Sequence, residues 1–291
     1  MVRMRTKTIF VLLLLIGVSV SCIRDRRAHG QNRLQFVETI DDLDEDKNEV
    51  IVDEDASVSW AQEELDLLTP VMQKQVPSQT LERTGYVASY NKETLCPNWV
   101  AWHLTAEHAD GSLPRDNAFY EDMDVPAPRA TNEDYRGSGW SRGHMCPAGD
   151  NKWDEQAMDE SFLLTNVCPQ DRSLNSGVWN RIEMNCRQWA KKYGDVYIVC
   201  GPVLLNREHE TIGKNKVVVP EAFFKVVLCL QGKPKAIGYI VRNNEGKKKH
   251  DLYINSIDDV ERITGYDFFP ALPDNIEEAV EAKADITEWQ N

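Results

Sequence analysis

Ser141-Arg142-Gly143-His144-Met145-Cys146-Pro147-Ala148 is the stretch on which the fold reading turns. Two more polar segments follow it closely, Leu164-Thr165-Asn166-Val167-Cys168-Pro169-Gln170 and Leu174-Asn175-Ser176-Gly177-Val178-Trp179-Asn180-Arg181-Ile182-Glu183. Gly143 would let backbone approach a ligand, Arg142 offers a rigid fork suited to phosphate oxygens, and His144 can accept a proton near neutral pH. A phosphate-binding group beside a base points to chemistry on a phosphate ester.

Around this cluster the chain reads as strands with one long helix. Tyr86-Val87-Ala88-Ser89-Tyr90 leads through Asn91-Lys92 to Asn98-Trp99-Val100-Ala101-Trp102-His103-Leu104, a hairpin pattern. Residues 196–200, 222–230 and 236–241 are the strongest β-branched and aromatic runs. Together these predict an antiparallel sheet. Residues 174–193 carry Trp179, Ile182, Cys186, Trp189 and Ala190 at three- and four-residue spacings, and Gly194 is a stop signal. The fold class is α+β, a central antiparallel sheet with flanking helices.

The termini differ in texture. The chain has 291 residues and a net charge of −14. Residues 1–21 place Arg3, Arg5 and Lys7 before an apolar run at 9–20 and end in small residues ahead of Cys22. That order reads as an export signal, and its ending resembles a bacterial lipoprotein signal, which implies Cys22 as the lipidated, membrane-anchored first residue of the mature chain. Ordinary secretion, periplasmic or beyond, and an uncleaved anchor are the other readings, and the run is too short to span about 30 Å of hydrocarbon. Residues 22–80 read as an acidic disordered tether, 81–273 as the catalytic domain and 274–291 as an acidic tail. Most of the negative charge lies in those two acidic stretches, so the middle is nearly neutral and a polyanionic partner is compatible with it. Six cysteines beyond Cys22 allow up to three disulfides in an oxidising compartment, and the absence of any CxxC pair argues against structural zinc. Lys247-Lys248-Lys249 reads as an exposed hairpin loop, and Trp99, Trp102, Trp179 and Trp189 as core residues.

On Tyr90-Asn91-Lys92, Pro97 to Leu104, Arg142-Gly143-His144, Thr165-Asn166 with Pro169-Gln170, Asn175 to Glu183 and Val196 to Pro202, residues 84–270 resemble the DNA/RNA non-specific endonucleases of the His-Me finger, or ββα-metal, superfamily. The resemblance implies His144 as general base and Asn175 as the direct protein ligand of Mg²⁺, with Mn²⁺ as the alternative ion. It assigns Glu183 to orienting water beside the metal, Asn166 to contacting the site, Arg142 to the catalytic centre, and Arg115 and Arg187 to substrate phosphate. Glu183 and Arg187 also stand four apart on one helical face, acid first, as an ion pair would. DNA and RNA are the implied substrates, cut to leave a 5′-phosphate and a 3′-hydroxyl, and homodimers occur among such proteins. Ser141 stands where the pattern usually has Asp. Two other readings stay open: a surface lipoprotein that binds nucleic acid with weak or no catalysis, and a hydrolase using Cys146 as nucleophile with His144 as its base.

Overall fold

Residues 222–229 show why the sheet is covered on both faces. Every residue of this strand is buried, and its alternate side chains enter two different cores: Phe223, Val227 and Cys229 one, Ala222, Phe224, Val226 and Leu228 the other. A strand buried on both sides reads as a continuous apolar run, so two layers of helix and loop must flank it.

The computed structural model describes residues 60–115, 118–245 and 249–290. Strands of four or more residues are β1 (Gln79–Glu82), β2 (Val87–Asn91), β3 (Cys96–Thr105), β4 (Ser141–His144), β5 (Val167–Gln170), β6 (Asp195–Val203), β7 (Ala222–Cys229) and β8 (Lys235–Arg242). Helices of seven or more are α1 (Gln62–Leu68), α2 (Glu155–Ser161), α3 (Asn180–Tyr193), α4 (Ile257–Thr264) and α5 (Asp274–Glu281). The main sheet has seven strands in the order Ile254–Asn255, β8, β7, β6, β3, β2, β1, and its ladders are antiparallel. One face packs on α3 and on residues flanking the separate β4–β5 hairpin, including Met145, Leu174, Trp179 and Ile182. The other packs on α1, α4 and α5 through Leu68, Val260 and Val280.

Several expectations change. Residues 60–80 are not all tether, since α1 and the start of β1 lie there and Leu68 is 1% exposed. The acidic tail is folded: α5 buries Val280, and Trp289 is 1% exposed against Trp189. Charge density hid these segments because their acids are spaced around apolar anchors at helical period. The six cysteines from Cys96 to Cys229 are free, buried thiols rather than bridges. Trp99, Trp102, Trp179 and Trp189 are buried, as core residues should be. Cys22 lies outside the described residues, as do two of the three lysines at 247–249.

Candidate active site

The site is assembled from a hairpin and the helix that follows it. β4 pairs with β5 from Ser141 opposite Gln170 to His144 opposite Val167. Gly143 has a different purpose from the one expected: a Cβ there would lie 2.3–2.8 Å from atoms of the Gln170 side chain, so the glycine makes room for a cross-hairpin neighbour, not for a ligand. The His144 ring sits between Phe119 and Phe162, with centroids 5.0 Å from each. Its carbonyl accepts a hydrogen bond from Trp179 Nε1 at 3.4 Å.

Asn166 holds this turn without facing the cleft, which corrects the expectation that it contacts the site. Its Oδ1 accepts the Cys146 N–H at 2.9 Å, and its Nδ2 donates to the carbonyls of Cys146 and Ser161, both at 2.8 Å. The side chain is fully buried and its hydrogen-bonding capacity is nearly used up by backbone. Cys146 is also fully buried, and burial pushes its thiol well above the ordinary range. A thiol in that state is inert, so the cysteine-hydrolase reading fails.

The segment after β5 is not the continuous helix that periodicity predicts. Asp171 Oδ1 accepts the N–H groups of Ser173 and Leu174, at 2.8 and 3.0 Å, and starts a first turn. Gly177 then breaks the path at φ −103°, ψ −109°, before α3 runs regularly to Gly194 at φ +103°. Asn175 and Glu183 therefore do not share one regular helical face. The break still brings both to the wall of a single cleft.

That cleft has a volume of about 380 Å³ and is lined by His144, Asn175, Glu183, Arg115, Arg142 and Arg187, with the 147–149 turn and Asn180. Six of the seven residues singled out from sequence thus converge; Asn166 stands behind them. A second cavity of about 210 Å³, lined by Met72, Val76, Pro97, Ile263 and Tyr266 among others, holds no ionisable side chain suited to hydrolysis except the buried Cys96. Arg142 stacks over Tyr135 and Phe119, 5.1 and 5.6 Å from their centroids, and donates to the Asn132 carbonyl at 2.9 Å. Arg115 lies 5.6 Å from the Phe162 centroid.

Arg187 departs from the pairing read off the sequence. Its partner is Asp150, 2.6 Å away, not Glu183. Asp150 is 3% exposed and also accepts Trp102 Nε1 at 3.1 Å. Gly149 is needed for this geometry, because a Cβ there would come within 2.8 Å of Arg187 Nη1. Behind the cleft, Lys225 of β7 is fully buried between Trp102 and Trp179, 4.9 and 4.8 Å from their ring centroids. Asp150 and Lys225 were missed. The usable signal was a lysine inside Phe223-Phe224-Lys225-Val226-Val227, since a charge on an inward strand position needs buried partners.

The electrostatics suit proton transfer. Burial, then the nearby Arg115 cation, pushes His144 down to about 3, so its imidazole is neutral at pH 7. Burial pushes Glu183 up to about 7, opposed by Lys225 and Arg187. The amide oxygen of Asn175 and the carboxylate of Glu183 are hard donors on the same cleft wall, and the remaining space accommodates water. Such a set fits a small, hard divalent cation that keeps most of its hydration.

Residues 64–275 match the family model described as DNA/RNA non-specific endonuclease. The chain is 40% identical over 205 residues to the mitochondrial nuclease EXOG of Xenopus laevis, covering 65% of this chain and 57% of that protein. It is 36% identical over 208 residues to human mitochondrial endonuclease G, covering 66% and 70%. With nuclease C1 of Cunninghamella echinulata the figures are 38% over 210 residues, 66% and 83%. The EXOG matches reach at most 60% of those relatives' length. Among solved structures, the EndoG/EndoGI complex aligns with a TM-score of 0.65 and 29% identity, covering 74% of this chain and 95% of that one.

Proposed function

Because the chain belongs to the DNA/RNA non-specific endonuclease family, whose ββα-metal fold it shares, we propose that it is a Mg²⁺-dependent endonuclease hydrolysing phosphodiester bonds of DNA and RNA. The observation that carries this reading is the single cleft holding His144, Asn175, Glu183 and three arginines. In the reaction, water attacks phosphorus, the bond to the 3′ oxygen breaks, and the products are a 5′-phosphate and a 3′-hydroxyl. The neutral His144 imidazole takes the proton of the attacking water. Its low proton affinity in the free cleft rises when an anionic phosphate enters beside it. Arg115, Arg142 and Arg187 bind phosphate oxygens, and the rings under Arg142 and the carboxylate behind Arg187 hold two of the forks in place.

Asn175, with Glu183 beside it, would hold the cation. Mg²⁺, or Mn²⁺ in its place, supplies charge stabilisation of the phosphate and of the departing oxygen. Contacts to phosphate carry no base identity, so cleavage with little sequence preference follows. A nicking assay on supercoiled plasmid, and on RNA, with and without chelator tests the reading. Cleavage should require the metal; intact duplex retained by the protein in Mg²⁺ would favour capture without catalysis.

Export and lipidation at Cys22 remain part of the proposal and rest on residues 1–22 alone. The EXOG and endonuclease G relatives are named mitochondrial, but the family match begins at residue 64 and leaves the leader outside it. Acyl labelling that disappears in Cys22→Ala tests the anchor.

A further inference from the structure

Away from the cleft, three carboxylates meet where α4 and α5 pack. Asp258 and Glu261 on α4 and Glu281 at the end of α5 each offer one carboxylate oxygen, and these oxygens lie within 4.8 Å of one another. A cluster of acids on a surface would mean little. Here Glu281 is 7% exposed, and its Oε1 is buried with no hydrogen-bond partner among the described residues. A buried carboxylate oxygen without a hydrogen-bond partner, close to two other carboxylates, is costly in a native protein, and a bound cation resolves it.

The described bases nearest in the chain are engaged elsewhere: Lys283, two positions after Glu281, lies 3.5 Å from Glu288. Arg262, the base on α4, is engaged by Asp259 at 2.8 Å. The groups acting most strongly on Glu281, after its burial, are the carboxylates of Glu261, Glu277, Asp258 and Asp267. Glu261 is fixed in place by accepting the Phe268 N–H on Oε1 at 2.8 Å.

We propose that Asp258, Glu261 and Glu281 form a second divalent-cation site, for Ca²⁺, that joins α5 to α4. The donors are oxygens only, which suits a hard cation and not zinc. Three protein carboxylates in one site suit Ca²⁺, which takes six to eight oxygens in flexible geometry, better than Mg²⁺, which is usually held by one or two carboxylates and keeps most of its waters. Asp258 is exposed and leaves an open side for the waters that complete six to eight ligands. Glu281 lies beyond the family match at residues 64–275. Asp258 and Glu261 lie within that match, so the site joins the family domain to the segment that follows it, away from the cleft and independent of the nuclease reading.

The test is Ca²⁺ binding to full-length protein carrying Asn175→Ala, which removes the cleft ligand, read by calorimetry and by thermal melting in chelator against about 5 mM Ca²⁺. One Ca²⁺ should bind, with the melting temperature raised by about 3–8 °C. Adding Glu281→Gln should abolish both effects while leaving the metal-free protein folded, at equal or higher melting temperature, because an amide replaces a buried carboxyl crowded by other carboxylates. Asp258→Asn, at the exposed rim, should weaken binding by about tenfold or more and reads the same question if Glu281→Gln fails to fold. Absence of a Ca²⁺ effect in the Asn175→Ala protein would overturn the site and leave Glu281 as a carboxyl held protonated by its neighbours. So would an undiminished Ca²⁺ effect in the Glu281→Gln protein.

Discussion

Arg187 reaches from α3 to Asp150, 2.6 Å away, while Glu183, one turn earlier on the same helix, lines the cleft itself. The helix thus divides Glu183 and Arg187 between different tasks. Arg187 is anchored from behind by a carboxylate that Trp102 also holds, and Glu183 is left unpaired by it, free for the role proposed for it beside the cation.

Asp150→Asn should therefore act through Arg187. It keeps an acceptor for Trp102 and removes the charge, so KM for plasmid should rise about tenfold with a smaller change in kcat. Asp150→Ala should also cost about 3–5 kcal/mol of stability, measured by denaturant unfolding, because Arg187 and Lys225 lose a buried counter-charge. An unchanged KM in Asp150→Asn would mean that Arg187 does not hold substrate.

Asn166→Ala removes the clamp on the turn after His144. Three backbone groups lose their partner, and stability should fall by roughly 2–4 kcal/mol with activity falling alongside it. A variant that melts like wild type yet is inactive would show Asn166 touching substrate instead.

Glu183 gives a pH signature. With the cleft metal-free its carboxyl is pushed up to about 7, so below that pH an entering cation must displace a proton. Mg²⁺ affinity by calorimetry should weaken by about tenfold from pH 8 to pH 6. In Glu183→Gln the affinity should be lower and no longer vary over this range.

His103 on β3 lies 2.7 Å from Glu64 and 3.2 Å from Asp195. Burial acts against its charge, but the two carboxylates outweigh it and raise the imidazole to about 9. A folded value above the unfolded 6.5 means the stabilisation is complete below about pH 6.5 and is lost as pH rises through 9. Chemical denaturation at pH 6 and pH 10 should show about 2 kcal/mol of this difference disappearing in His103→Gln, after allowance for partial exposure.

Most of the sheet was readable in the sequence, because β2, β3, β6, β7 and β8 are runs of β-branched and aromatic residues long enough to outweigh local ambiguity. The cleft residues were readable through Arg142-Gly143-His144 and Asn175 to Glu183. What escaped depends on distance along the chain: Asp150 takes Arg187 from 37 positions away, a competitor that no helical spacing reveals. The break at Gly177 escaped because apolar period continues across it. The folded tail escaped because Val280 and Trp289 are single anchors within an acidic background.

The most direct measurement is the rate of supercoiled-plasmid nicking in Mg²⁺ by wild type, His144→Ala and Asn175→Ala, each checked for cooperative unfolding. Both variants should fold and lose about two to four orders of magnitude in rate, with no recovery at high substrate. Folded His144→Ala protein that nicks at the wild-type rate would contradict the account.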